Sequence, residues 1–539
     1  MPDRPPLAPP ASKTPSGRFW FDGALVFLVF FVAGGDPSPG VNEPHYLCRL
    51  RHFWDPSYCP GDLFLDSPDA HFTVVWLFGW VTQLFSLEAT AWIGRLVSWA
   101  LIAAGWTRLV HRVMPGTLLA PLGAALVVYG TRQLHFAGEW LIGGFEAKTL
   151  AYGFVFFAIA DAIDGRWNRA WILLGVASAL HALVGGWSVV ALGVAGLVSR
   201  QIPPVRSMLP ALALGGGLAM AGVVPALLLN VGTPAEVVSE ANEIYVFTRL
   251  SHHLSPLTKP WEWIENRGGH HLRMVAVLAV LHALRVRRDR PGLRLVTYFA
   301  WAAEAISLAG LTIELVLWNH PAWAASLLKY YWFRLADIAA PVAASILAVE
   351  WIGVAIAERR RSGAYAAVAL VALCGWYMGD LVVERARQPV AASDAAMDDP
   401  AAWIEMCDWV RENTPADAVF LVPQQSQSFK WRAERGEVVT YKDVPQDARS
   451  MVEWRRRYFD VFKAGEFADG STRWTPSLAA LGAERLRELG EEYGATYVLS
   501  EEPRGDVESG RIGRRRASLP IVHRVGPYTL YGLADVGDP

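Results

Sequence analysis

The feature that constrains this chain most is a series of apolar blocks, each approaching the length of a membrane span. Four of them read ALVFLVFFVAGG, VVALGVAGLVS, MLPALALGGGLAMAGVVPALLL and AAPVAASILAVEWIGVAIA. A helix needs about 20 predominantly apolar residues to cross the hydrocarbon core of a bilayer. Only 19% of the 539 residues are charged, which is less than a soluble protein of this length carries. The sequence therefore predicts a multi-pass α-helical membrane protein.

The apolar blocks predict about 11 transmembrane helices. These spans are 20–34, 89–110, 117–130, 149–163, 170–184, 185–199, 208–230, 272–284, 294–317, 337–357 and 364–382. A twelfth apolar stretch, 72–87, is rich in aromatic residues, as an interfacial helix is. If 72–87 lies along the outer interface, every basic loop falls on the inner side. These loops contain Arg108 and Arg112, Arg166 and Arg169, Arg200 and Arg206, Arg285–Arg290 and Arg359–Arg361. The positive-inside rule favours this arrangement over one in which 72–87 crosses.

This topology divides the chain into three parts. A disordered cytoplasmic N-terminus over 1–19 precedes a polytopic transmembrane domain over 20–383, and an extracytoplasmic domain follows over 384–539. The outer loops are long and contain most of the polar side chains; they are 35–88, 131–148, 231–271 and 318–336. The first span has no small-residue cleavage site, so it is expected to be a retained anchor. The predicted location is the cytoplasmic (inner) membrane.

The pattern changes at about Glu384, where the apolar blocks stop and globular patterning begins. PAAWIEMCDWVREN, at 400–413, has apolar residues at the spacing of a helix face. Further helices are predicted near 452–462 and 477–494. Strands are predicted at AVFLVP, EVVTY and ATYVLSE, with PIVHRV and YTLYGL as a terminal hairpin. Strands that alternate with helices predict a small C-terminal α/β soluble domain.

Several short motifs follow one another along the chain in a characteristic order. GVNEPHYL lies after the first span, His71 opens the stretch 72–87, and the next span begins WIGRLVSWAL and closes on TRLVHRVMPG. The tail contains WIEMCDWVRENTPADAVFLVP. This plan resembles the GT-C superfamily of membrane glycosyltransferases, which take sugars from polyprenyl-phosphate or polyprenyl-diphosphate carriers. Many members of that superfamily end in an extracytoplasmic soluble domain.

The resemblance implies transfer of a sugar from a polyprenyl-phosphate-linked donor to an acceptor on the outer face of the membrane. In the superfamily an acidic pair lies shortly after the first span. Here Asn42 stands where an Asp is common, which leaves Glu43 as the one acid of that motif. A two-carboxylate metal site is therefore not indicated, and a cofactor stays unknown. The net charge of −2 gives no indication of a nucleic-acid partner, so the expected partners are the bilayer and the lipid-linked sugar.

Sugar transfer needs a carboxylate to take the acceptor's proton and cations to stabilise the departing phosphate. Glu43 is the predicted general base, with Asp36 as a second catalytic candidate and Asp62, Asp66 and Asp69 as further alternatives. The predicted substrate-binding residues share a position in an outer loop or at the outer end of a span. They are His71, Arg95, Glu146, Lys148, Lys329, Tyr330 and Arg334.

Most of these residues also have a structural explanation. Asp62, Asp66 and Asp69 lie among Gly and Pro, which favours turn formation. Lys329 and Arg334 are placed so that they can extend to the membrane interface. The histidines at 252, 253, 270 and 271 lack the i, i+4 spacing of a helical metal site. Cys48 and Cys59 are expected to form a disulfide if their compartment is oxidising.

Two other classes of function remain open from the sequence. A transporter or flippase would use charged residues near the bilayer midplane, and Glu304, Glu314 and Glu350 lie within or near predicted spans. No inverted repeat is apparent, however. A non-catalytic scaffold whose tail binds a partner is also consistent with the tail, which has no catalytic motif of its own.

Overall fold

The computed structural model describes residues 16–114, 119–285, 290–467, 470–502 and 517–533. Most of the predicted N-terminal segment 1–19 and of the basic run 285–290 lies outside the described residues. Within them, helices make up the chain up to residue 413, and strands occur only after it.

The described residues up to 228 form 11 helices. They are α1 (Ser16–Gly34), α2 (Glu43–Trp54), α3 (Leu63–Asp66), α4 (Phe72–Phe78), α5 (Val81–Leu84), α6 (Leu87–Val113), α7 (Ala120–Gln133), α8 (Ala147–Ile163), α9 (Trp167–Leu180), α10 (Ala182–Val198) and α11 (Leu209–Leu228). A 3₁₀ turn at Val205–Ser207 precedes α11.

The next part contains both long helices and short helical turns. The helices are α12 (Ala235–Glu243), α13 (Ser251–Leu254), α14 (Pro260–Trp263), α15 (Gly269–Arg285), α16 (Pro291–Val316), α17 (Pro321–Leu328), α18 (Ala336–Ala357) and α19 (Arg361–Arg387). π-Helical turns occupy Ile244–Arg249 and Ile264–Gly268, and a 3₁₀ turn occupies Pro256–Thr258.

Each of the 11 predicted spans coincides with a helix in the described part of the chain. Six of these helices are long and apolar enough to cross a membrane, namely α1, α6, α11, α16, α18 and α19. The other five, α7, α8, α9, α10 and α15, have 14 to 17 residues, fewer than the ~20 that a perpendicular span needs. The count of 11 therefore stays a prediction.

Helix α18 lies at the centre of the bundle, where α7, α15, α16 and α19 pack against it. In the most apolar 18 residues of each helix, 78% are buried in α18 and 11% in α19, so most of α19 faces the surroundings. Small residues allow the close packing. A Cβ added to Gly130 of α7 would lie 2.8 Å from the ring of Pro341 in α18. Helices packed through small residues are typical of membrane proteins.

The basic loops of the first half meet around two aspartates at one end of the bundle. Asp161 pairs with Arg108, Arg166 and Arg169, although these arginines come from two different loops. Asp164 pairs with Arg112 at 3.0 Å. The structure thus brings together two loops that the charge pattern assigned to one side of the membrane.

The apolar stretch 72–87 forms two short helices, α4 and α5, rather than one continuous helix. Together they reach from Phe72 to Leu84, too short to cross a bilayer. Phe72, Trp76 and Trp80 are each between 44% and 50% exposed. Large aromatic side chains exposed in a row are what an interfacial segment presents to lipid.

The C-terminal region folds as a five-stranded sheet with helices against it. The helices are α20 (Pro400–Asn413), α21 (Phe429–Ala433), α22 (Ala448–Phe462) and α23 (Ala483–Tyr493), with a 3₁₀ turn at Leu478–Leu481. The strands are β1 (Val419–Leu421), β2 (Gly436–Glu437), β3 (Lys463–Glu466), β4 (Thr472–Trp474), β5 (Tyr497–Glu501), β6 (Ile521–Val525) and β7 (Tyr528–Gly532).

The strand order in the main sheet is β2-β1-β5-β7-β6, and β3 and β4 form a separate hairpin. Strands β2, β1 and β5 are parallel, while β7 is antiparallel to both β5 and β6. The predicted strand at 437–441 is much shorter than expected, because the chain leaves the sheet after Glu437. The following residues turn towards the transmembrane domain instead, as described below.

A buried charge network joins the sheet domain to the first outer loop. Lys430 is 1% exposed and pairs with Asp62 at 3.3 Å, Glu437 at 2.5 Å and Asp443 at 2.6 Å. The backbone N–H of Glu437 also donates to Asp62 Oδ2 at 3.2 Å. Asp62 belongs to the outer loop and the other three residues to the sheet domain. The two parts of the chain are therefore held together by a desolvated ionic contact.

The cysteines of the first outer loop do not form the disulfide that was expected under oxidising conditions. Cys48 and Cys59 are free and buried in this structure. The Tyr58 hydroxyl oxygen lies 3.4 Å from Cys48 Sγ, and burial raises the pKa of the Cys48 thiol to about 12. Both cysteines act as packing residues beside Lys430, whose backbone carbonyl accepts a hydrogen bond from Tyr58.

Candidate functional site

Glu43 begins helix α2 and is fully buried. Arg95 of α6 donates to it through Nε and Nη2, both at 2.6 Å. The backbone N–H groups of Gly40 and Phe145 donate at 2.6 and 2.9 Å, and Ser38 Oγ lies at 3.3 Å. Both carboxylate oxygens are thus occupied by a bidentate guanidinium and two main-chain donors.

This environment argues against the general-base role predicted for Glu43. A base needs a lone pair that can reach the acceptor's proton, and the oxygens of Glu43 are already engaged by neighbouring groups. A Cβ at Gly144 would lie 3.1 Å from the Glu43 side chain, so the surrounding backbone leaves little space. Glu43 and Arg95 instead fix the loop at 143–145 against the start of α2.

Asp36 lies at the outer end of α1 and is half-exposed. Its Oδ1 accepts from Arg385 Nε at 2.8 Å, and Arg132 lies 3.6 Å from Oδ2. Its backbone carbonyl accepts from Arg95 Nη1 at 2.6 Å. Asp36 therefore links the ends of α1, α7 and α19, and its carboxylate is engaged by two arginines.

A second group of charges lies deeper in the outer half of the molecule. Lys148 Nζ is 3.1 Å from Glu146 and 3.4 Å from Glu139, and Arg334 Nε is 3.0 Å from Glu139 Oε2. Arg334 Nη1 also lies 3.0 Å from Nε2 of His181. We call Glu139, Glu146, Lys148, His181 and Arg334 the outer polar cluster. Its members come from loop 131–148, the α9–α10 junction and the loop before α18.

The outer polar cluster is almost completely desolvated. Glu139, Glu146, Lys148 and His181 are each less than 10% exposed. Burial alone would lower the pKa of Arg334, but Glu139 and the phenol groups of Tyr331 and nearby tyrosines raise it well above the ordinary value. Arg334 therefore remains a guanidinium cation. Buried charges are expensive unless they are paired, and sites that maintain them are frequently functional.

Aromatic and amide side chains from the first outer loop border this cluster. Asn42 Nδ2 donates to Glu146 Oε1 at 2.7 Å, and the ring of Tyr46 is 5.7 Å from that of His71. His71 lies 6.0 Å from the ring of His181. On the opposite side, the Arg334 guanidinium lies 3.9 Å over the ring of Tyr331. Asn42, at the position where an acid is common in GT-C proteins, thus contacts a glutamate supplied by another loop.

Glu139 also faces a cavity of about 240 Å³. The cavity is lined by residues of the first outer loop and of the loop 131–148; among them are Asp36, Gly40, Arg95, Arg132, His135, Glu139, Trp140 and Gly144. Glu139 Oε1 is buried but accepts no hydrogen bond within the described residues. The partner of that oxygen is the Lys148 ammonium, 3.4 Å away. Of the two carboxylates in the outer polar cluster, Glu139 is the one that lines the cavity, which gives a ligand space beside it.

The structure brings together only some of the predicted site residues. His71, Glu146, Lys148 and Arg334 lie in or beside the outer polar cluster, while Arg95 is paired with Glu43. Lys329 lies apart and donates to Asn242 Oδ1 at 3.1 Å. Tyr330 is 44% exposed, and its backbone carbonyl accepts from Trp187. Neither Lys329 nor Tyr330 contacts the cluster in the described structure.

The aspartates proposed as alternative bases have other partners. Asp62 is in the network of Lys430, and Asp66 lies 3.1 Å from His52 at the surface. Asp69 Oδ1 lies 3.0 Å from His71 Nδ1, and His71 together with Arg49 offsets the effect of burial and holds the pKa of Asp69 well below its ordinary value. Asp69 thus acts by orienting His71.

Sequence reasoning missed Glu139, His181 and Tyr46. A signal for Glu139 was present, because it lies in the same half-apolar outer loop as Glu146 and Lys148, where charge is costly. His181 gave no such signal, since it interrupts an apolar stretch read as a span. Its place in the site depends on the break between α9 and α10.

The histidines of the third outer loop do not form a metal site in the described residues, where no group of three or more ligating side chains is close enough. His252 and His253 have rings 4.0 Å apart, and His253 bonds the backbone carbonyl of Ala137. Burial lowers the pKa of His252 to about 4. His271 lies 3.0 Å from Glu304.

Comparison with known proteins supports the fold. ArnT from Cupriavidus metallidurans bound to undecaprenyl phosphate superposes with a TM-score of 0.50 at 15% identity, covering 97% of this chain and 99% of that one. Its apo form gives 0.50 at 15% identity over 96% and 98%. The Archaeoglobus fulgidus oligosaccharyltransferase in complex with Zn and sulfate gives 0.47 at 12% identity, over 89% of this chain and 68% of that one.

The sequence comparisons are narrower. A family model described as a domain of unknown function (DUF6798) matches residues 401–461, which begin at α20 and end within α22. The search of curated proteins gives no match. The two ArnT structures show that the fold is GT-C-like, as the motif order predicted, and the six long apolar helices are those of an integral membrane protein.

Proposed function

We propose that this protein is a membrane glycosyltransferase that moves a sugar from a polyprenyl-phosphate-linked donor to an acceptor at the outer membrane face. The fold is that of such enzymes, but the proposal rests on one local observation. Glu139 lines a cavity and is buried between Lys148, which lies 3.4 Å from its Oε1, and Arg334, which lies 3.0 Å from its Oε2. A carboxylate and two cations in this arrangement match what the transfer needs.

In this proposal Glu139 is the general base and Lys148 and Arg334 bind the donor's phosphate. Charge-assisted contacts to phosphate oxygens are short and strong, and Arg recognises them through two N–H groups. When the phosphate binds to Lys148 and Arg334, each cation interacts with the phosphate as well as with Glu139. The carboxylate then accepts the acceptor's proton while the cations stabilise the charge that develops on the departing phosphate.

Glu146 has a supporting role in the same account. It accepts from Asn42 and pairs with Lys148, so it fixes the ammonium together with Glu139. Glu139 lines the cavity, whereas Glu146 is not among its lining residues and has one oxygen bonded to Asn42. This difference is why we assign the proton transfer to Glu139 and the positioning to Glu146.

The surface next to the cluster suits a lipid carrier. Helix α4 begins directly after His71, which borders the outer polar cluster, and exposes Phe72 and Trp76. A carrier whose phosphate lies at the cluster would place its hydrocarbon tail along such an apolar, aromatic face. By the positive-inside rule, the end with Asp161 and its arginines is cytoplasmic, and the cluster lies at the extracytoplasmic side.

The test is a reconstitution with defined lipid-linked sugars. Purified protein in detergent would be incubated with a panel of polyprenyl-phosphate sugars and a panel of hydroxyl-bearing acceptors, and release of the polyprenyl phosphate with formation of the glycosylated acceptor would be followed by mass spectrometry. The proposal predicts release by the native protein and a strong decrease in Glu139→Gln. Movement of the intact donor across proteoliposomes without release would instead identify a flippase. Neither binding nor release with any donor would favour a scaffold.

A further inference from the structure

The segment Tyr441–Asp447 of the C-terminal domain leaves the sheet after β2 and reaches the transmembrane site. Gln446 Oε1 accepts from the backbone N–H of Ala70 at 3.1 Å, and its Nε2 lies 3.0 Å from Nδ1 of His71. His71 in turn borders the outer polar cluster. We call Tyr441–Asp447 the bridging segment.

The bridging segment is fixed on both of its flanks. Asp443 lies 2.8 Å from His45 Nδ1 of helix α2 and 2.6 Å from Lys430. Arg249 from the third outer loop donates to the backbone carbonyl of Lys442 at 3.2 Å and lies 4.3 Å over the ring of Tyr441. The backbone around Lys442 is thus attached to two different outer loops.

The side chain of Lys442 is the exception in this well-bonded segment. The residue is half-buried, and its ammonium has no hydrogen-bonded or ion-paired partner within the described residues. Burial and the charge of Arg249 lower the pKa of Lys442 to about 8, with Lys148 acting in the same direction and Glu146 and Asp443 opposing them. Lys442 lies on a segment that reaches His71, at the border of the outer polar cluster.

We propose that Lys442 is a binding residue for the donor's phosphate group, so that the soluble domain completes the transferase site. This inference rests on the proposed function and extends it. Lys148 and Arg334 pair with the carboxylates Glu139 and Glu146, whereas Lys442 has no ion-pair partner within the described residues. Lys442 is therefore a cation that a phosphate group can pair with, on a segment in contact with His71.

Gln446 has a positioning role in this proposal. Its amide connects the bridging segment to Ala70 and His71, so the position of Lys442 depends on a contact between the soluble domain and the outer loop. A soluble domain that moved away from this loop would withdraw a phosphate ligand. The C-terminal domain is therefore assigned a direct part in donor binding rather than an accessory one.

The experiment measures binding of undecaprenyl phosphate to the purified full-length protein by its quenching of intrinsic fluorescence. The variants are Lys442→Gln, Lys442→Arg and Arg334→Ala, with Lys463→Gln as the matched control on the same domain. Lys463 pairs with Glu466 on the hairpin β3–β4, outside the bridging segment. Melting temperatures of all variants identify any that fail to fold, and inorganic phosphate serves as a second probe.

We expect Lys442→Gln to weaken binding by roughly 10- to 100-fold, the loss of one hydrogen bond to a charged group, while Lys442→Arg and Lys463→Gln bind as the native protein does. Native affinity should also fall above about pH 8 as Lys442 loses its proton, and this fall should be absent in Lys442→Arg. If Lys442→Gln also weakens binding of inorganic phosphate, Lys442 binds a phosphate group whether or not it is attached to a lipid. If Lys442→Gln weakens binding of undecaprenyl phosphate alone, Lys442 binds the phosphate only when it is attached to the lipid.

The possible failures are distinguishable. If Arg334→Ala weakens binding and Lys442→Gln does not, the inference about Lys442 is overturned and the proposed function stands. If the native protein binds neither probe, the proposed function fails, and with it the inference. If Lys442→Gln and Lys463→Gln lose the same affinity, the effect belongs to the domain as a whole and the assignment to Lys442 is wrong.

Discussion

Arg95 and Glu43 form a bidentate ion pair that is nearly closed to solvent, with Nε–Oε1 and Nη2–Oε2 distances of 2.6 Å. Removing one partner of such a pair leaves an uncompensated buried charge and costs about 3–5 kcal/mol. We therefore expect Glu43→Gln to lower the free energy of unfolding by about that amount. The measurement is thermal or denaturant unfolding of the purified protein in detergent.

The control for this prediction is Glu466→Gln, which removes a carboxylate from an exposed ion pair with Lys463. Exposed ion pairs contribute little to stability, so this variant should melt close to the native protein. If Glu43→Gln kept native stability and lost sugar transfer, the structural role assigned to Glu43 would be incorrect. The base role predicted from the sequence would then be restored.

Glu43 also shows how much of the fold and of the site can be predicted from the sequence. Apolar blocks placed helices at all 11 predicted spans, because burial in lipid demands long apolar runs that are visible without a structure. The position of Glu43 after the first span made it a candidate. Which acid lines the cavity and which is enclosed by other groups, however, depends on contacts between residues far apart in the chain, such as Glu43 with Phe145.

Two other features were outside the reach of the sequence for similar reasons. The strand predicted at 437–441 ends after Glu437. The N–H of Val438 still donates to Phe420 of β1, but Lys442 bonds to the third outer loop. The pairing of Lys430 with Asp62 joins residues more than 360 positions apart. Neither periodicity nor local composition contains information about such distant partners.

The second prediction concerns pH and the network around Lys430. Burial, with Asp62 and Asp443 acting in the same direction and Lys430 against it, raises the pKa of Glu437 to about 8. A carboxyl group with a raised pKa binds more protons in the folded than in the unfolded state. Stability should therefore fall as the pH rises from about 5 to about 8, by at most about 1.4 kcal/mol per pH unit.

The check on this prediction is Glu437→Gln, which resembles the protonated acid and retains an oxygen for Lys430 and Thr440. The difference in melting temperature between this variant and the native protein should grow in favour of the variant as the pH rises from 5 to 8. The other titratable groups are the same in both proteins, so their contributions to the pH dependence of stability cancel in this difference. A difference that stays constant over this range would contradict a raised pKa at Glu437.

The third prediction concerns the stretch 72–87 and the orientation of the chain. If this stretch lies at the outer interface, a cysteine at Ser86 or Glu88 should react with an impermeant thiol reagent applied to intact cells. Both positions are exposed, whereas Leu87 and Thr90 beside them are buried and would react poorly in either topology. The four native cysteines would first be replaced. Labelling only after the membrane is ruptured would mean that the stretch crosses.

The last prediction tests the central claim, that Glu139 is the general base of a sugar transferase. The measurement is the single-turnover rate of sugar transfer from a bound lipid-linked donor in Glu139→Gln, with Glu146→Gln as the matched control. Both variants remove a carboxylate that pairs with Lys148, so the loss of that ion pair is common to them. A positioned general base contributes roughly 10²- to 10⁴-fold in rate. We predict that Glu139→Gln loses that factor while it still binds the donor, and that Glu146→Gln loses much less. A native rate in Glu139→Gln, or an equal loss in both variants, would contradict the assignment.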